Sequence, residues 1–172
     1  MKKIFTTLGM ALALTLSTRA ADTTVTLSDV HICCGGCVKT IDKTVATIPG
    51  LTDKADQDGG TIALTGPDTA TLQKGVDALV ADGFYGKSSD AGITVTSDTG
   101  AKNEKMTSMT IEHLHLCCGH CVKSVNEILS GVPGVTGNTA AKGAKSFDVT
   151  GNFNDKDVFD ALQKGGLTGH EK

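Results

Sequence analysis

Two small α+β domains in tandem, each an antiparallel sheet with two helices on one face, are predicted by three observations. The 172-residue chain writes one cysteine-rich motif twice, 84 positions apart. Around each copy the apolar spacing changes from every second residue to steps of three and four. Proline and glycine then punctuate both halves at matching places.

The first half opens with the alternating run Thr24–Ser28 and the second with Ser108–Glu112, as half-buried strands do. After each motif, Val38, Ile41, Val45 and Ile48 are matched by Val122, Val125, Leu129 and Val132. Those steps put each set on one helical face. Pro49-Gly50 and Pro133-Gly134 stop the helices. Strand pairs follow at 51–56 with 61–65 and at 135–140 with 146–150, turned by Gly59-Gly60 and Gly143. Second helices are predicted over 69–81 and 154–164, capped by Asp68 or Thr69 and by Asn154. Gly83 and Gly165-Gly166 end them, and short last strands are expected at 84–88 and 167–172. The order strand–helix–strand–strand–helix–strand, used twice, is the ferredoxin-like βαββαβ arrangement.

Residues 1–20 are read as a signal peptide: a basic start at Lys2-Lys3, an apolar stretch from Ile4 to Leu16, then Thr18-Arg19-Ala20. The expected organisation is therefore 1–20 signal, 21–96 first domain, 97–105 a polar flexible linker, and 106–172 second domain. Gly92–Thr96 either extends the first sheet or belongs to the linker. Export makes the protein periplasmic or secreted, with no membrane insertion after cleavage. Without Lys2, Lys3 and Arg19 the chain carries 13 basic against 19 acidic residues. That balance argues against nucleic acid as a partner, which needs a basic surface. There is no nucleophile elbow and no phosphate loop, so an enzyme is not expected.

The motifs are His31-Ile32-Cys33-Cys34-Gly35-Gly36-Cys37-Val38-Lys39 and His115-Leu116-Cys117-Cys118-Gly119-His120-Cys121-Val122-Lys123, and they hold all six cysteines. A Cys-x-x-Cys pair at a helix start places two sulfurs close together, where the positive end of the helix favours thiolate. Thiolate is both a soft-metal ligand and a nucleophile. Cys33 and His31 could enlarge the first pair to a Cys3His set, and Cys117 and His115 the second. In a continuing strand Cys33 and Cys34 would point to opposite faces, so both reach one ion only if the chain has left the strand there. His113 and His120 are weaker candidates: Asp29 stands at the place of the first, Gly36 at that of the second.

These residues resemble the heavy-metal-associated domain family, the small βαββαβ domains of copper chaperones, metal-transport ATPase tails and periplasmic mercury-binding proteins. Its motif, Gly-Met-x-Cys-x-x-Cys, is matched in its second half by Cys34-Gly-Gly-Cys37 and Cys118-Gly-His-Cys121. The Pro-Gly after each first helix and Gly83-Phe84 also match. The resemblance covers nearly the whole mature chain as two copies. It implies soft-metal binding by Cys34 with Cys37 and by Cys118 with Cys121. Where the family has Gly-Met, this chain has His31-Ile32 and His115-Leu116, followed by the additional Cys33 and Cys117; Phe84 becomes Leu167 in the second copy.

The leading expectation is an exported protein that binds soft metal ions, Cu(I), Zn or Hg in class, about one per domain or one shared between them. The metal candidates are His31, Cys33, Cys34, Cys37, His115, Cys117, Cys118 and Cys121. The ion would be sequestered or passed by thiolate exchange to a metal-transporting or metal-accepting protein. The alternative is a thiol–disulfide redox protein that uses the Cys-x-x-Cys pairs in an oxidising compartment.

Overall fold

The computed structural model describes residues 22–172, and the expected signal peptide lies outside the described residues. The elements run β1 (Thr23–Ser28), α1 (Gly35–Val45), β2 (Thr52–Asp56), β3 (Thr61–Gly66), α2 (Thr69–Ala81) and β4 (Lys87–Ser88). They continue as β5 (Lys105–Glu112), α3 (Gly119–Ser130), β6 (Val135–Asn138), β7 (Ser146–Asn154), α4 (Asp155–Lys164) and β8 (His170–Glu171). Two antiparallel four-stranded sheets result, ordered β2-β3-β1-β4 and β6-β7-β5-β8, with four helices. The chain is of the α+β class.

Register follows from the alternation. Val25 pairs with Leu64 and Leu27 with Ile62, so the apolar members of β1 and β3 share the covered face. In the second sheet Met109 lies opposite Val149 and Ile111 opposite Phe147. Against these faces α1 lays Ile41 and Val45, and α2 lays Leu72, Val76 and Leu79. The second core takes Val125 and Leu129 from α3 and Val158, Phe159 and Leu162 from α4. Each such buried side chain stabilises the fold by about 1.5–3 kcal/mol.

Caps set the second helices. The carboxylate of Asp68 accepts the N–H of Thr71 at 2.7 Å, which makes Asp68 rather than Thr69 the cap of α2. Asn154 caps α4 through the N–H of Lys156 at 3.0 Å. The first helices end sooner than the spacing predicts. α1 stops at Val45, and Ile48 lies in the following turn, donating to the carbonyl of Val45 at 3.0 Å.

Segments 92–96 and 97–105 take no strand until Lys105 opens β5, yet both are tied to the fold. Thr94 exchanges backbone bonds with the Gln73 side chain on α2 and does not extend the sheet. Segment 97–105, expected as a flexible linker, is held by the second half. The carboxylate of Asp155, only 1% exposed, accepts the N–H groups of Lys102 at 2.7 Å and Glu104 at 2.8 Å. Glu171 donates to the carbonyl of Thr99, and the imidazole Nδ1 of His170 contacts that of Asp98. Burial opposes ionisation of Asp155, but the amides of Lys102, Glu104 and Lys156 outweigh it and hold its pKa below the usual carboxylate value. A depressed folded-state pKa contributes stability above the unfolded-chain value of about 3.9, and that stability is lost as pH falls through the folded value. Asp155→Ala, which strands buried N–H groups, is expected to cost about 2–3 kcal/mol at neutral pH. The deficit should shrink when urea melts are repeated near pH 3, where the wild type is losing the same contribution.

The two halves join through their chain turns. Phe84 and Leu167 form an antiparallel bridge. Thr168 donates to the carbonyl of Gly83 at 3.0 Å, and Tyr85 and His31 donate to that of Gly166 at 3.1 and 3.2 Å. Gly83 and Gly166 have φ of +88° and +78°. A Cβ at Gly83 would lie 2.6 Å from the His113 carbonyl oxygen and the His115 nitrogen. One at Gly166 would lie 2.5 Å from the Asp29 oxygen and the His31 nitrogen. Only glycine permits that backbone-on-backbone contact. The last strands are thus shorter than expected: only Lys87–Ser88 and His170–Glu171 pair with β1 and β5, and Phe84 and Leu167 turn to each other.

Candidate metal centre

Both motifs begin where a strand is broken. Asp29 and His113, one residue past β1 and β5, have φ of +60° and +61°. That left-handed step suits Asp and His better than most residues. It ends the alternation, so Cys33 and Cys34 no longer lie on opposite faces of a strand. Cys34 and Cys118 then sit in extended conformation as the N-caps of α1 and α3. Neither side chain caps its helix, and neither first turn holds an acidic residue. The sulfurs are left free beside the positive helix ends.

All six thiols are free, and they converge from both halves. Cys33 Sγ lies 3.2 Å from Cys121 Sγ, 3.4 Å from Cys118 Sγ and 3.7 Å from Cys37 Sγ. Cys117 Sγ lies 3.5 Å from Cys37, 3.7 Å from Cys34 and 3.7 Å from Cys121. Cys37 and Cys121 are fully buried, while the other four are half-buried. Gly36 lies against the cluster: a Cβ on it would meet the sulfurs of Cys34 and Cys117 at 3.3 and 3.4 Å, so they would have to give by a few tenths of an ångström.

Three donor groups can hold a metal ion, each with its ligand atoms within 4.8 Å of one another. They are Cys37, His115, Cys117 and Cys121; His31, Cys33 and Cys121; and Cys33, Cys34 and Cys118. Of the two arrangements expected, one site per domain or one shared between them, the donor groups have the shared form: every group takes donors from both halves. The donor chemistry fits a soft ion. The Nε2 atoms of His31 and His115 are buried with no hydrogen-bond partner, and both residues belong to donor groups. His115 is held by Phe84 of the other half, ring centroids 4.6 Å apart and tilted by 32°. His113 and His120 are exposed and enter none of the groups.

Crowding sets the protonation pattern. Hydrogen bonding from the Cys121 thiol, opposed by burial and aided by the His115 side chain, holds Cys37 well below the usual thiol range. Cys121 is pushed up, first by its bond to Cys37 and then by burial. Burial drives Cys33 up to about 12 and raises Cys117 as well. Cys118 is lowered to about 6, chiefly by the backbone N–H of Cys121. Thiolate is thus favoured at Cys37 and Cys118, one from each half, and resisted at the sulfurs of Cys33, Cys117 and Cys121 crowded against them.

The partnerless Nε2 atoms of His31 and His115 yield a prediction. The pair His31→Leu/His115→Leu removes two buried nitrogens without partners. The metal-free protein is then expected to be as stable as the wild type or more so, by about 1 kcal/mol. Metal affinity should fall about tenfold or more, or ~1.4 kcal/mol. Thermal melts with and without metal read both effects, and a loss of apo stability with unchanged affinity would contradict the ligand role.

Phe84, Leu167 and the two glycines were not among the site residues expected from the sequence, although they build the contact around it. The signal lay in Gly83-Phe84 and Gly166-Leu167, which recur at nearly matching places in the two copies.

No protein-family model matches the chain, and no curated protein matches it. Among solved structures, the N-terminal soluble domains of Bacillus subtilis CopA share 15% identity with it, over 89% of this chain and 95% of that one, at a TM-score of 0.34. The first two RRM domains of yeast poly(U) binding protein, Pub1, share 9% over 87% and 98%, at a TM-score of 0.28. At these scores neither likeness bears on fold or chemistry, and the case for a metal centre rests on the donors themselves.

Proposed function

We propose that this chain is an exported, non-enzymatic protein of two ferredoxin-like domains. It binds soft metal ions of the Cu(I), Zn or Hg class and sequesters them or hands them on by thiolate exchange. The observation that carries the reading is the meeting of six free thiols and two imidazoles with partnerless buried Nε2 atoms at the contact between the halves. Such a set has no packing role that demands it, and uncompensated buried polar atoms are rare unless a ligand completes them. Exchange is served by Cys34 and Cys118, the half-buried sulfurs at the helix mouths, from which an incoming thiolate can displace a donor. A groove lined by Thr40, Asp82, His115, Cys117 and Lys145 opens beside the second motif.

The redox alternative has one observation of its own. Among sulfur pairs with hydrogen-bond geometry, the shortest joins Cys33 to Cys121, from opposite halves, and not the members of a Cys-x-x-Cys pair. A disulfide there would tie the halves together and consume donors of all three metal groups. The test is an anaerobic titration of the reduced chain with Cu(I), Zn²⁺ and Hg²⁺ against a competing chelator, with thiols counted throughout. Tight binding with loss of free thiols supports the metal reading. No binding, together with catalysed thiol–disulfide exchange, sinks it.

A further inference from the structure

The three donor groups overlap. Cys121 belongs to the first and the second, and Cys33 to the second and the third. Together they use all six cysteines and the upstream histidine of each motif, His31 and His115. Resting on the soft-metal reading above, the geometry points to a thiolate-bridged polynuclear Cu(I) centre, in which adjacent ions share the sulfurs of Cys33 and Cys121.

Donor count and charge both lead there. A single soft ion accepts at most about four donors, so one ion leaves half of this cluster unused. Two independent ions would fill the first and third groups, which share no member, and leave unused the second, in which His31 sits with one sulfur of each, Cys33 and Cys121. Three ions, one per group, draw on all eight donors, because Cys33 and Cys121 each serve two of them. Six thiolates crowded this closely also repel strongly. At about 4 Å each like-charged pair costs ~1 kcal/mol even in water and more in the half-buried interior. The nearby cations offer little relief, since Lys39 and Lys123 are exposed and Lys123 faces Glu127 at 3.7 Å. Monovalent ions set between the sulfurs supply that compensation: each Cu⁺ that binds displaces protons from thiols, and no electron is transferred. Zn²⁺, which favours closed sets of four ligands, finds one such set here, the first group, while the other two offer three donors each, the number a Cu(I) site accepts.

Loading should therefore be cooperative, because the first ion draws the halves and the bridging sulfurs into place for the next. The full chain, reduced and metal-free, is titrated anaerobically with Cu(I) alone against a chromophoric Cu(I) chelator and followed by native mass spectrometry. Expected are chains carrying about three or more ions beside empty chains at partial loading. X-ray absorption should show a Cu–Cu scattering path. Independent filling that stops at one or two ions, with no such path, overturns the bridged centre and leaves soft-metal binding intact. Absence of any binding overturns both. Cys33→Ser, at a shared sulfur, should lower capacity by more than one ion, whereas Cys34→Ser, at an unshared one, lowers it by one at most. Equal losses from the two variants would count against bridging. Far-UV circular dichroism checks that each is folded, and Cys33 is only half-buried, so its replacement leaves the core intact.

Discussion

Replacing Cys37 and Cys121 together with serine is expected to abolish tight metal binding, with affinity reduced at least about 100-fold, or ~2.8 kcal/mol. These are the two fully buried thiols, one in the first turn of α1 and one in that of α3, and both belong to the four-donor group with His115 and Cys117. Their loss removes one ligand contributed by each half. Metal at about 100 times its dissociation constant should stabilise the wild type by ~2.7 kcal/mol, and the double variant should show almost none of that thermal shift. A buried serine hydroxyl has its own cost. The alanine pair, which leaves no hydroxyl unsatisfied, separates loss of ligand from loss of fold. Metal affinity retained in a folded alanine pair would remove both residues from the centre.

Valine at Gly83 or Gly166 is expected to be nearly as damaging to metal binding, although neither glycine supplies a donor. The left-handed backbone alone costs a β-branched residue about 1–2 kcal/mol. The larger effect is steric. The new Cβ would stand 2.5–2.6 Å from backbone atoms of the opposite motif, which cannot swing aside as a flexible side chain can. The halves must then move apart, and every donor group loses members, because every group spans them. A stability loss of about 3 kcal/mol or more is expected, together with a loss of affinity on the order of 100-fold. Gly143→Ala is the control. It shares a positive φ, +75°, but has nothing within 4 Å of a new Cβ, so it should cost about 1 kcal/mol and leave metal binding unchanged. Affinity unaltered in Gly83→Val would show that the halves need not meet to bind the ion.

The elements most legible in the sequence were those with local causes. The alternation at 24–28 and 108–112 became β1 and β5, and the change to steps of three and four became α1 and α3. Asp68 and Asn154 became caps because a short polar side chain can reach the open amides of its own helix. Less legible were features whose partners are distant. The last strands shortened because Phe84 and Leu167 pair with each other, and no local pattern records that choice. The tethering of segment 97–105 depends on Asp155, which in sequence is an ordinary acidic residue in the first turn of a helix. Its burial follows only once the preceding loop has folded over it.

The same division runs through the centre. From the sequence alone came two triplets of cysteine, each with a histidine two residues upstream, each at the start of a helix, and with them the soft-metal character of the chemistry. Thiol softness and the positive helix end are properties of residue type and local geometry, so a single chain segment suffices to declare them. Only the tertiary structure decided that the triplets form one cluster. That decision rests on backbone contacts at Gly83 and Gly166 and on the stacking of Phe84 on His115, interactions between residues far apart in the chain that leave no periodic trace. A glycine in sequence reads as a helix stop; that the same glycine also lets the two halves close on a common set of sulfurs is settled by what lies across from it.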